Sequence, residues 1–171
     1  GGAVGEDLHV GAGLVDIADV FLLHNREIQV ACDDSVVRVF EGHELPIRRA
    51  RGYAPFPVRL PRKVPPLLAV GGELKAAFCL AEGGHAFLSQ HLGDMERLET
   101  LEAFERAVAH LQRLFRITPE AVVVDRHPGY FSSRRARGLG LPVIDVQHHH
   151  AHIAALMAEH GLSGERPVLG L

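Results

Sequence analysis

Leu141-Pro-Val-Ile-Asp-Val-Gln-His-His-His-Ala-His152 carries an apolar strand, Leu141–Val146, into a helix whose apolar part runs over Ile153–His160. A strand handing over directly to a helix is the unit from which α/β folds are built. Histidines 148, 149, 150 and 152 fall at that handover. Neutral imidazole is the commonest metal ligand near pH 7. Positions i and i+4 of a helix share a face, so His148 and His152 point the same way and can close on one ion. His149 and His152 are the i, i+3 alternative, and a solvated patch of histidines is the bland reading of the same run. Two imidazoles do not complete a metal site. A third ligand, expected to be a carboxylate, has to come from elsewhere. Gln147 and His149 are then expected to steady the ligands or meet the substrate.

Upstream, the pattern alternates in the same way. Ala121–Val124 is a buried strand ending in Asp125, and Tyr130–Leu139 reads as a basic helix. Glu99–Phe115 places Leu101, Phe104, Val108, Leu111 and Phe115 on one helical stripe, with Thr100 or a nearby residue as a candidate cap. Gly161 is placed as the stop signal of the last helix. Before these elements, Leu67–Val70, Ala76–Ala81 and His85–Gln90 read as three strands of a meander. Its turns are Gly71-Gly72 and Glu82-Gly83-Gly84. The sum is an α/β domain with a mixed sheet.

The N-terminal part reads as a separate unit. Val15–Leu23 is a helix running into a short strand, while Glu27–Ala31 and Ser35–Phe40 are strand-like around the acidic turn Asp33-Asp34. From Phe56 to Pro66, prolines 57, 61, 65 and 66 alternate with Arg59, Arg62 and Lys63. Such a stretch suits an inter-domain linker better than a sheet ladder. The expected division is residues 1–60, a linker over 61–66, and a second domain over 67–171.

Composition narrows the function. Of the 171 residues, 47% are hydrophobic and 23% charged, as in soluble globular proteins. A formal net charge of −3 gives no electrostatic case for nucleic acid as a partner. No apolar run approaches a membrane span, and the first residues lack the basic segment followed by an apolar one that a secretory signal needs, so none is expected there. The only cysteines, Cys32 and Cys79, form no CxxC pair and read as buried thiols in strands. A cytoplasmic protein is expected. Gly1-Gly2 without an initiator Met, and Pro167–Leu171 reading as a fresh strand, suggest a piece of a longer chain.

Besides the histidines, three places carry chemistry. His24-Asn25-Arg26 follows a strand, where an open sheet offers ligand groups. Ser35, Arg26 and Arg38 supply a hydroxyl and two guanidinium groups suited to phosphate or carboxylate. In Gly71-Gly72-Glu73-Leu74-Lys75 the glycines let backbone amides approach phosphate, and Lys75 adds a point charge. Asp125-Arg126-His127-Pro128-Gly129-Tyr130 sits between a strand and a helix start, a place that favours anions. Ser132 and Ser133 are candidate caps and anion donors there. Each of the three has a plain alternative as a hairpin or a polar loop.

These motifs occur in one order: Phe21-Leu-Leu-His-Asn-Arg, Cys32-Asp-Asp-Ser-Val-Val-Arg, Arg48-Arg-Ala-Arg-Gly-Tyr-Ala-Pro, Gly71-Gly-Glu-Leu-Lys, Phe87-Leu-Ser-Gln-His-Leu-Gly-Asp, Leu98-Glu-Thr-Leu, Asp125-Arg-His-Pro-Gly-Tyr and Val146-Gln-His-His-His-Ala-His. The series resembles the HypF family, carbamoyltransferases of [NiFe]-hydrogenase maturation, from about residue 14 onward. The resemblance implies the C-terminal part of a YrdC-like domain, then the N-terminal part of a TsaD-like domain of the actin/hexokinase (ASKHA) superfamily. It implies conversion of carbamoyl phosphate and ATP (Mg2+) to carbamoyl-adenylate. The carbamoyl group then passes to the C-terminal cysteine of HypE, where dehydration of that group yields the cyanide ligand of the iron. It further implies that His148 and His152 bind a divalent metal, zinc or iron. Lys75 and the Asp125–Tyr130 loop, with His127, would lie near the nucleotide, and His24, Asn25, Arg26 and Ser35 on the adenylate-forming side. The catalytic residues themselves stay unassigned.

Ala76-Ala77 depart from the Asn-Thr usual in the family, and Ala31 stands where a basic residue is frequent. A carboxylate completing the metal site is expected beyond Leu171, and turnover by this stretch alone is not expected. Two rival readings are a carbamoyl- or threonylcarbamoyl-transferase acting on a small metabolite or tRNA, and a non-catalytic scaffold built on the histidines.

Overall fold

The computed structural model describes residues 32–170 and, before them, Ile17, Asp19, Val20 and Val30. The helix and strand expected over 15–23 and 27–31 otherwise lie outside the described residues. The first elements are β1 (Val36–Phe40) and β2 (His43–Arg48), an antiparallel pair of its own. Glu41 and Gly42 join them with φ of 49° and 79°. Positive φ at both central positions matches the right-handed twist of a two-residue hairpin. Ser35–Phe40 was expected as a strand; His43–Arg48 was not, because Pro46 and the basic residues mask its alternation.

A four-stranded sheet follows, in the order β4-β3-β5-β6. It comprises β3 (Pro57–Val70), β4 (Phe78–Leu88), β5 (Ala121–Asp125) and β6 (Val143–Val146). β3 is antiparallel to β4 and parallel to β5, and β5 is parallel to β6, so the sheet is mixed as expected.

Two expectations need correction here. The stretch read as a linker, 61–66, lies inside β3. Proline is tolerated because this half of β3 is ladder-bonded on one side only: β5 joins it at Leu67–Ala69. The register with β4 also shifts between Arg59 and Val64 and again between Val64 and Leu67, around Pro61, Pro65 and Pro66. A residue without an N–H costs nothing where the ladder is already broken. The meander is the second correction. Glu82-Gly83-Gly84 is no turn, and Phe78–Leu88 is one strand forming a hairpin with β3. Gly83, at φ 57°, pairs with Val64 and absorbs an irregularity in the register.

Period-two alternation divides the sheet into two faces. Leu68, Val70, Phe78, Leu80, Val122 and Val124 are buried together with Phe104, Ala107 and Leu111 of α1 (Leu98–Phe115) and Ala136 of α2 (Phe131–Arg137). Phe78 meets Phe104 edge to face at 5.5 Å. The apolar stripe read from the sequence is therefore what binds α1 to the sheet. Arg97, not Thr100, is the N-cap of α1, and it makes no side-chain capping bond; Thr100 is buried instead. The helix ends at Arg116, whose φ of 57° turns its N–H onto the Gln112 carbonyl.

On the opposite face Ala69 and Val123 line a cleft with Ala151 and Ala155 of α3 (His148–Glu159). α3 starts five residues before the apolar run that marked it in the sequence, so the histidines form its first turns. Gly161, at φ 65°, follows its C-cap His160. Residues 167–170 form no strand, contrary to the reading of Pro167–Leu171. Cys79 lies in β4, whereas Cys32 precedes β1 outside any strand, and both are half-buried. Among the described residues no helix is long and apolar enough to cross a membrane.

Candidate functional site: a histidine pair at the strand ends

The C-terminal ends of β3, β5 and β6 open onto a cleft of about 260 Å³. Val70, Gly71 and Gly72 border it from β3, Val124 and Asp125 from β5, and His148 and His152 from α3. Parallel strands present their loops on one side of the sheet, which is why the ends of α/β sheets collect functional groups.

Gln147 sets the helix start. Its Oε1 accepts from the His150 amide at 3.0 Å, and its Nε2 lies 2.8 Å from His149 Nδ1. An amide side chain thus satisfies one of the free N–H groups of the first turn. It also holds His149 away from the cleft. Of the two pairings allowed by spacing, the structure closes the i, i+4 pair: His148 Nε2 and His152 Nε2 stand 3.1 Å apart.

Behind His148 stands Asp125, whose Oδ2 is 2.6 Å from His148 Nδ1. Its Oδ1 accepts from the His127 amide at 2.8 Å. Partial burial pushes the Asp125 carboxyl pKa up, but the His127 amide and the His148 ring outweigh it and leave the group below its ordinary value. The loop beyond is compact: His127 stacks on Tyr130 at 4.2 Å, and the Gly129 amide donates to His127 Nδ1 at 3.2 Å. A Cβ added to Gly72 would stand 3.7 Å from the Tyr130 ring and 3.9 Å from the His148 ring. The Gly-Gly loop, the Asp125–Tyr130 loop and the histidine helix therefore converge on one spot.

Ser132 and Ser133 were expected to cap α2 and donate to an anion. Both are buried, and their hydroxyls donate to the Gly71 carbonyl at 2.8 Å and the Asp125 carbonyl at 3.2 Å. They clasp the two loops and face no ligand. Glu73, not singled out in the sequence beyond its motif, accepts from the Phe131 amide at 2.7 Å. Nothing in Gly71-Gly-Glu-Leu-Lys marks that contact, which spans 58 residues.

The other candidates lie apart. Lys75 is exposed and does not border the cleft. Ser35 Oγ is occupied by backbone, accepting from the Ala50 amide at 2.8 Å and donating to the Arg51 carbonyl at 2.9 Å. Arg38 is exposed on β1. His24, Asn25 and Arg26 fall outside the described residues.

The histidine pair passes a geometric test for a shared metal. Zinc–imidazole bonds of about 2.0–2.1 Å put two ligand nitrogens roughly 2.9–3.4 Å apart, for bond angles between square and tetrahedral. The observed 3.1 Å falls inside that span. Among the described residues no cluster of three or more ligating side chains forms, so the pair supplies one edge of a coordination sphere.

A family model described as the HypF Kae1-like domain matches residues 62–159. Carbamoyltransferase HypF2 of Cupriavidus necator is 52% identical over 166 residues, covering 92% of this chain and 20% of that protein. Carbamoyltransferase HypF of Synechocystis sp. is 49% identical over 159 residues, covering 92% and 21%. A crystal structure of full-length HypF in the phosphate- and nucleotide-bound form superposes with a TM-score of 0.80 at 50% identity, covering 87% of this chain and 24% of that one. HypF of T. kodakarensis gives a TM-score of 0.79 at 40% identity, with 87% and 20% covered. The chain spans about a fifth of the length of these curated relatives.

Proposed function

This chain belongs to the HypF family, and from that premise we propose that it works within a cytoplasmic carbamoyltransferase of [NiFe]-hydrogenase maturation. In this reading carbamoyl phosphate is hydrolysed to carbamate and phosphate, ATP (with Mg2+) adenylates the carbamate with release of pyrophosphate, and the carbamoyl group passes to the C-terminal cysteine of HypE with release of AMP. Adenylation suits the chemistry, since a carbamate is a poor electrophile until it carries a good leaving group. The observation that carries the reading is the pair of imidazole nitrogens 3.1 Å apart at the mouth of the sheet-end cleft.

His148 and His152 would hold a divalent zinc or iron ion through Nε2. Such an ion polarises a carbonyl or phosphoryl oxygen when bound. Gly71 and Gly72 keep side chains out of the cleft mouth, leaving backbone next to the reacting groups. Ala69, Val123, Ala151 and Ala155 give the cleft an apolar wall, and a reactive adenylate there would have to be shielded from water. Lys75 and the His127–Tyr130 stack are the candidate nucleotide contacts. His24, Asn25 and Arg26 are those of the adenylate-forming side, where the Ser35 hydroxyl serves the backbone, and exposed Arg38 is a candidate for phosphate or carboxylate.

The test is ATP–pyrophosphate exchange by the full-length protein with and without carbamoyl phosphate. Exchange that requires carbamoyl phosphate, with transfer to HypE lost in His148→Ala and His152→Ala, is the expected result. Exchange that requires threonine and bicarbonate would move the activity to tRNA modification. No exchange under any condition would leave a metal-binding scaffold.

A further inference from the structure

We infer that Asp125 is the positioning residue of the histidine pair: it fixes the His148 ring as the Nδ1–H tautomer, so that a transition-metal ion meets two preformed imidazole nitrogens. The inference rests on the metal reading above and adds a residue that sequence reading had placed near the nucleotide.

The two side chains differ in freedom. The Asp125 side chain is 10% exposed and that of His148 is 45% exposed. The less exposed partner is held by two bonds of its own and one of its neighbour. Its Oδ1 accepts from the His127 amide at 2.8 Å, and its carbonyl accepts from the buried Ser133 hydroxyl at 3.2 Å. The next residue, Arg126, donates its amide to the Val146 carbonyl at 3.0 Å, one residue before the Gln147 cap. The end of β5 and the start of α3 are thereby held in a fixed relation, and Asp125 Oδ2 is left 2.6 Å from His148 Nδ1.

An ionised carboxylate only accepts hydrogen bonds. The proton between the two groups therefore sits on His148 Nδ1. In the neutral ring that leaves the Nε2 lone pair free, and it faces His152 Nε2. A carboxylate on the far nitrogen orients a metal-binding imidazole and raises its basicity. Asp125 thus does for the site what neither histidine can do from an exposed helix, which is to choose the nitrogen that faces the ion.

Asp125→Asn makes the sharp test. The side-chain oxygen of Asn keeps the acceptor for the His127 amide, while its NH2 turns toward His148. A donor there demands an acceptor at Nδ1, which moves the ring proton to Nε2 and blocks the metal position. Two measurements on the full-length protein decide the matter: zinc affinity by competition titration, and the His148 tautomer of the metal-free protein by nitrogen-15 NMR. We expect an Nδ1–H ring in the wild type, an Nε2–H ring in Asp125→Asn, and zinc affinity about 10- to 100-fold weaker in the variant. Zinc binding that needs His152 but stays within twofold in Asp125→Asn overturns this inference alone. So does an Nε2–H ring in the wild type, a readout that depends on no variant. A wild type that takes up no zinc, or whose uptake is unchanged by His152→Ala, overturns the metal reading and this inference with it.

Discussion

The Ser132 hydroxyl donates to the Gly71 carbonyl at 2.8 Å, joining the start of α2 to the loop after β3 across 61 residues. Ser132 is 1% exposed, so no water replaces the bond if the hydroxyl is lost. Ser132→Ala leaves a buried carbonyl without its donor, and the expected cost is about 1–3 kcal/mol. Urea denaturation should show a lower midpoint with an unchanged slope; an unchanged midpoint would mean that the clasp contributes nothing.

Gly71 is required by contact rather than by backbone angle. A Cβ there would lie 2.8 Å from the Ala77 carbonyl oxygen, which accepts from the Gly71 amide at 2.9 Å. Because the obstacle is backbone, it cannot rotate away. Gly71→Ala is expected to cost about 1–3 kcal/mol, as overpacking does. Gly84→Ala serves as the comparison, since nothing lies within 4 Å of its Cβ position. Equal thermal midpoints for the two variants would refute the contact.

Leu80 is 0% exposed within the cluster that joins β4 to α1, whereas Leu114, on the same helix, is 56% exposed. Leu80→Ala removes buried methyl groups and leaves a cavity, with an expected loss of about 2–5 kcal/mol. Leu114→Ala is expected to stay within about 0.5 kcal/mol of the parent. Calorimetric midpoints of both variants check the packing.

Burial pushes the Cys79 thiol up from 9.0 to about 11, with only a small opposing pull from the Phe87 backbone. At pH 8 its thiolate fraction is therefore roughly 100-fold below that of the unfolded chain. Alkylation in a Cys32→Ser background should be slow in the native protein and fast in denaturant. The same shift makes a stability statement. Above pH 9 the unfolded chain releases this proton before the folded one does. Stability should be at its full value below pH 9 and fall by up to about 2–3 kcal/mol as pH rises toward 11. A flat pH profile between 9 and 11 would contradict it.

Much of the local structure is legible in the chain. The stripe Leu101, Phe104, Val108, Leu111 gives α1, and Ala121–Val124 gives β5, because a 3.6-residue or two-residue apolar period is a property of the backbone itself. The facing of His148 and His152 follows from the same helical period. Glu82-Gly83-Gly84 misleads for a related reason. Glycine marks a turn or an irregular strand equally well, and only the partner strand decides between them. The prolines of β3 mislead because the ladder's breaks are set by β4, far along the chain.

What the sequence determined by itself is the alternation of strands and helices and the i, i+4 histidine pair, both written in short-range periodicity. The tertiary structure alone decided that Asp125 stands behind His148 across 23 residues, that Ser132 and Ser133 clasp loops rather than face a ligand, and that Ser35 is occupied by backbone. These are hydrogen bonds between groups brought together by sheet order and helix packing. No local spacing encodes them, because burial leaves each polar group to find whichever partner the packed chain sets beside it.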